Sequence, residues 1–188
     1  MKNTHFFLLL LFFVNCGQPP AEQKDYSYLD AEIAQLQTDM DIRKYWEAIS
    51  DDDQKYRREE SLILQQYGYE SKEYKDTLKK INELDALNIV KVEKMLAKFG
   101  YPQTKELSSK SASAPFFVIH HSTDYDIRTR NFHHLYNAYK TGNLKEGPFS
   151  NYLNHTYEMK KGKRYEVGTV FTEEERIKGI IEELGLEE

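Results

Sequence analysis

Two adjacent histidine pairs, His120-His121 and His133-His134, bracket Asp124 and Asp126, and His155 follows them. Imidazoles and carboxylates gathered in one stretch suggest metal ligation or general acid–base chemistry. The spacing argues against a metal. Neighbouring residues on a helix point about 100° apart, so the rings of a His-His pair do not meet one ion. Zinc-binding helices set their histidines four residues apart. His121 and Asp124 are three apart, a spacing that works only if one helix runs through Ser122 and Thr123. Those two residues have the chemistry of a helix start. No metal and no cofactor is expected. Each pair is expected to turn one ring to the core or a helix end and the other to solvent.

Other constellations carry less. Ser122 beside His121 lacks the G-x-S-x-G setting of a strained nucleophile. No glycine-rich phosphate loop occurs. Asp51-Asp52-Asp53-Gln54 lacks the glycine and distal glutamate of a calcium loop and suits a helix N-terminus better. The many carboxylates of this acidic chain read as a solvated face.

Helices must position these groups. Leu29, Ile33, Leu36 and Met40 recur at helical spacing. A second helix is expected to open at Ser50 and the acids after it, and to stop at Gly68. A third, capped by Ser71, carries Leu78, Ile81, Leu84, Leu87, Val92, Leu96 and Phe99 to Gly100 and Pro102. Thr104–Ser113 reads as a polar connector. The run Pro115-Phe116-Phe117-Val118-Ile119 is short enough for a buried helix or a strand, and proline at a first helical position favours the helix. Ser122 or Thr123 is expected to cap the next helix, which runs past Ile127, Phe132, Leu135 and Tyr139 to Gly142. Gly147-Pro148 opens another. Arg164–Val170 reads as a strand, paired with part of Tyr157–Lys160 in a small hairpin. Thr172-x-x-Glu175 is a capping box that launches a last helix ending at Gly185. The expected fold is mainly α: residues 28–188 form a single helical domain of about six or seven helices with a minor β-hairpin, the size of one ordinary domain.

Composition sets the class. The chain has 188 residues, 30% charged and 39% hydrophobic, with 14 Tyr and 10 Phe, enough apolar surface to fold around a core. Its net charge of −5 and dispersed basic residues give no sign of nucleic-acid binding.

The N-terminus addresses the chain. Lys2 precedes an unbroken apolar run from Phe6 to Val14. A spanning helix needs roughly 20 apolar residues, so this run has the size of a signal-peptide core. It ends in Phe13-Val14-Asn15-Cys16-Gly17, which resembles the looser lipoprotein signals of Bacteroidota. The resemblance implies cleavage after residue 15 and lipidation of Cys16, the only cysteine, with acyl chains such as palmitate. No thiol would remain for a disulfide or for catalysis. Residues 16–27 then form a flexible tether. The expected address is the cell envelope, anchored to the outer membrane on a side left open. The expected partners are the membrane, through that lipid, and an envelope protein.

A second resemblance rests on order. Asp53-Gln54-x-x-Arg57, Asp85-x-x-Asn88, Gly100-Tyr101-Pro102, an apolar run ending in His121, Gly162-Lys163 and Gly168-Thr169 follow one another. This order resembles a bacterial family defined as a domain of unknown function, common in Bacteroidota, over roughly Asp51 to Gly168. The resemblance implies a pocket lined by Asp53, Gln54, Arg57, Tyr101 and His121. The second half departs from the family. Asn154-His155 stands for Asp-Arg, Tyr165 stands near a Gln, and Val167-Gly168-Thr169-Val170 stands for Y-G-T-Q. The groups best able to bind or transfer protons are replaced, so the resemblance implies a fold more than a retained active site.

The leading expectation is a lipid-anchored envelope protein with a binding or structural role, its face formed around Asp53, Arg57 and His121. The alternative is an envelope hydrolase or metal-dependent enzyme with His121 as base or ligand and Asp124 or His155 as its partner. A third is an immunity or chaperone-like protein, which requires an exposed apolar patch around Tyr67, Tyr69 and Tyr74.

Overall fold

A computed structural model describes residues 25–103, 107–166, 168 and 172–186. The signal segment, Cys16, most of the tether, part of the polar connector and most of the expected strand after Glu166 lie outside the described residues. Nine helices run through the described residues: α1 (Tyr28–Ala34), α2 (Asp39–Gln54), α3 (Arg57–Tyr67), α4 (Lys72–Phe99), α5 (Ser109–His121), α6 (Tyr125–Arg130), α7 (Phe132–Lys140), α8 (Glu146–Lys161) and α9 (Glu173–Leu184). The mainly α expectation holds. None of these helices is long and apolar enough to cross a membrane.

Several boundaries differ from the sequence expectation for local reasons. The first expected helix is two. Thr38 and Asp41 form a capping box that starts α2, so Met40 belongs to α2 and is 48% exposed. The acids at Asp51–Asp53 close α2 and do not open a helix. Pro115 lies inside α5, which starts earlier because Ser108 caps it by accepting from the Ser111 N–H. Asp124, not Ser122 or Thr123, caps α6 by accepting from the N–H groups of Asp126 and Ile127. The next expected helix breaks at Asn131. The hairpin is not seen: Tyr157–Lys160 is the last stretch of α8, where buried Tyr157 continues the helical stripe, and Arg164–Glu166 forms no strand. Ser71, Gly100, the Thr172 capping box and Gly185 stand where their chemistry placed them.

The core is one cluster. Trp46 and Ile49 of α2, Val92 and Met95 of α4, Ile119 of α5, Leu135 of α7, Leu153 of α8 and Ile180 of α9 are each at most 1% exposed. Each such aliphatic side chain contributes about 1.5–3 kcal/mol. The cluster draws on the second half of α4 only; Tyr74, Thr77 and Ile81 are buried but stand apart from it. α3 buries no residue and packs on the first half of α4. The two helices make an arm at the side of the body. Leu62, Tyr67 and Tyr69 are exposed on it, and Tyr74 turns inward, edge-on to Tyr69 at 5.5 Å.

Candidate functional site

The base of the arm brings three helix ends together. α2 finishes at Gln54 and α3 starts at Arg57, so Asp53 and Arg57 face each other across the break at four-residue spacing. α5 finishes at His121, and Asp85 comes from the middle of α4. The Asp53 side chain is 1% exposed. Its Oδ1 lies 2.9 Å from His121 Nδ1 and 3.6 Å from Arg57 Nε, and its Oδ2 accepts from the Gln54 amide at 2.6 Å. Arg57 Nη2 donates to both oxygens of Asp85, at 2.6 and 2.5 Å.

Two carboxylates thus share one guanidinium, and their titrations diverge. Burial pushes the Asp53 carboxyl up, but the hydrogen bond and charge of His121, the Gln54 amide and Arg57 together hold it below its ordinary value. Burial pushes the Asp85 carboxyl up against the pull of Arg57, and the Asp53 charge adds to that rise. Asp53 is therefore an acceptor at neutral pH. His121 Nδ1 must donate to it, so a neutral His121 ring would carry its acceptor at Nε2. Nε2 makes no hydrogen bond among the described residues and is not a sealed, unsatisfied atom.

His121 forms part of the wall of a cleft of about 430 Å³, in the size range of small-ligand sites. Arg57, Glu60, Asn82, Asp85 and Asp124 supply its other polar walls, and Leu78, Ile81, Ile89 and Ile127 its apolar surface. Along α4 the lining residues run from Leu78 to Ile89, about 16 Å at the helical rise.

The expected pocket residues divide. Arg57, His121 and Asp124 line the cleft, and Asp53 and Gln54 do not, Asp53 being bonded to His121 and Gln54 to Asp53. Asp124 does so while its Oδ1 caps α6. Tyr101 does not join them. It lies past the end of α4, about 22 Å along the axis from Asp85, and lines a recess with Trp46, Phe99 and Pro102. Its hydroxyl is buried without a partner among the described residues, and burial pushes it well above its ordinary range. His155 also stands apart. Its ring stacks on His120 at 5.1 Å, and His120 stacks on Phe116 at 5.2 Å. Burial, with Arg128 nearby, pushes His120 down to about 4, so it is neutral. The other pair, His133 and His134, has ring centres 3.9 Å apart on α7. Among the described residues no group of three or more His, Cys, Asp or Glu side chains is arranged to hold a metal ion.

Sequence reasoning left two residues out of the site. Asp85 was visible only within the Asp85-x-x-Asn88 element. Arg128 carried no signal, because a lone arginine on a short helix reads as a surface charge. No family model, curated protein or solved structure matches the chain.

Proposed function

We propose that this chain is a lipid-anchored cell-envelope protein that binds a small polar ligand in the cleft at the base of the arm. One observation supports the binding role: His121, fixed by buried Asp53, lines a cleft with Arg57, Asp85 and Asp124, and its Nε2 has no hydrogen-bond partner among the described residues. A side chain kept only for packing has no need of a buried carboxylate to fix its tautomer. The polar walls set orientation and the apolar surface contributes burial, the usual division in small-ligand sites. The anchor rests on Cys16 at the end of the apolar run and on the lipoprotein signal it resembles.

The binding role is tested by thermal melts of the full-length chain against amines, amino acids, sugars, nucleosides and short peptides, with His121→Ala and Asp85→Asn beside it. A ligand present at about a hundredfold excess over its dissociation constant adds about 2.7 kcal/mol to the native state. Supporting compounds raise the wild-type melting point and lose that effect in both variants. If every compound shifts wild type and His121→Ala alike, the cleft is not the site. The anchor has its own test. Cys16→Ala should release the exported chain from the membrane fraction, and a variant that stays membrane-bound with an uncleaved N-terminus contradicts it.

The Asp53–His121 pair favours a second reading, an envelope hydrolase in which His121 is the general base toward water. Among the described residues no hydrogen bond joins Ser122 Oγ to His121; the Oγ accepts from the Asp124 N–H at 3.2 Å. Turnover of ester or amide substrates that disappears in both His121→Ala and Asp53→Asn would favour this reading over simple binding.

A further inference from the structure

Arg128 on α6 is 1% exposed, and no carboxylate among the described residues pairs with it. A buried guanidinium is tolerated only where its N–H groups are satisfied. Here they are satisfied by two helices. Nη1 donates to the backbone oxygen of His120 and, at 3.3 Å, to that of Ser122. Nη2 donates to the backbone oxygen of Tyr152 at 2.8 Å, and Nε to Thr156 Oγ1 at 2.9 Å. The guanidinium lies over the Tyr152 ring at 4.9 Å, and the Tyr152 hydroxyl donates back to the Arg128 carbonyl at 2.6 Å. Its counter-charge is the negative end of α5, where the last carbonyls have no partner within the helix.

The residue between His120 and Ser122 is His121. We propose that Arg128 is a positioning residue for His121: by binding the carbonyls on either side, it ties the last turn of α5 to α8 and fixes the direction from which the imidazole meets Asp53. The inference rests on the reading of His121 as the ligand-facing group. Lysine does not replace Arg128, because a single ammonium cannot serve acceptors spread over two helices as the planar fork does.

The experiment is histidine ¹⁵N correlation spectroscopy on the full-length chain in detergent at neutral pH, with Arg128→Met and Arg128→Lys. The amide spectrum and a cooperative melt identify the folded population, and the lysine variant keeps the charge should the methionine variant not fold. Wild type should show His121 as the Nδ1–H tautomer. Both variants should lose that signature in favour of the Nε2–H form that free histidine prefers, with the His134 signals unchanged. Loss of stability alone does not change the tautomer of the molecules still folded. A folded variant with the wild-type His121 signature overturns the role of Arg128 and leaves the Asp53–His121 pair standing. A wild-type chain whose His121 carries no proton on Nδ1 overturns both, since no fixed imidazole is there to position.

Discussion

Asp53 and His121 are 68 residues apart in sequence and meet at 2.9 Å, each at the C-terminal end of its helix. The pair exists because α2 stops one residue after Asp53 and α5 stops at His121. It makes the base of the arm a place where a carboxylate, a guanidinium and an imidazole share one cleft.

The pair should shape acid stability. Asp53 titrates below its ordinary value of 3.8 in the folded chain. A carboxyl depressed by folding stabilises the native state above its unfolded pKa, and that contribution is lost as pH falls through the folded value. The wild-type melting point should therefore fall more steeply below about pH 4 than that of Asp53→Asn, which should be the less stable at neutral pH by about 1–3 kcal/mol. Parallel curves across the acid range would show that Asp53 has no such coupling.

Arg57 links two carboxylates, and removing it strands Asp85, while Asp53 keeps His121 and Gln54. Arg57 and Asp85 are 20% and 25% exposed, so their pair is screened less than a surface bridge. A double-mutant cycle of Arg57→Met and Asp85→Asn should give a coupling of about 1–3 kcal/mol. The exposed Lys72–Asp76 pair, of the same 2.5 Å separation, should couple more weakly. Equal couplings would make the half-buried pair no more than a surface contact.

Asn88 lies one turn past Asp85 on α4. It is fully buried, and neither amide atom has a partner among the described residues. Such an amide costs about 1–3 kcal/mol, and an apolar group of similar shape removes that cost. Asn88→Leu should raise the melting point. A lower melting point would mean that the amide holds a bridging water that leucine displaces.

Much of the helical pattern was legible. The apolar stripe of α4, its Ser71 cap and its Gly100 stop, and the Thr172 box of α9 follow from local rules. The break between α2 and α3 was not, because neither glycine nor proline marks it, and the acids at Asp51–Asp53 suit a helix start by charge alone. Tyr101 was grouped with Asp53 by sequence order, whereas the 28-residue length of α4 carries it to the far end of the body. Asp85 and Arg128 gain their roles from tertiary packing, which neither periodicity nor capping encodes.

Gly179 of α9 is helical, where alanine ordinarily gains about 1 kcal/mol. A Cβ there would sit 2.2 Å from the Tyr165 hydroxyl and 3.0 Å from the ring carbon that bears it. Tyr165 packs edge-on against Tyr157 at 5.2 Å. Gly179→Ala should therefore destabilise the wild-type chain and stabilise a Tyr165→Ala chain. A gain in both backgrounds would show that Tyr165 moves aside freely.

The central claim is that Asp53 holds His121 with a free Nε2 open to the cleft. Diethyl pyrocarbonate attacks accessible, unprotonated imidazole nitrogens, so site-resolved labelling at neutral pH reads this directly. The account predicts that His121 is modified at Nε2 well ahead of His120, which is stacked between Phe116 and His155. A His121 as protected as His120, or modified at Nδ1, would contradict it.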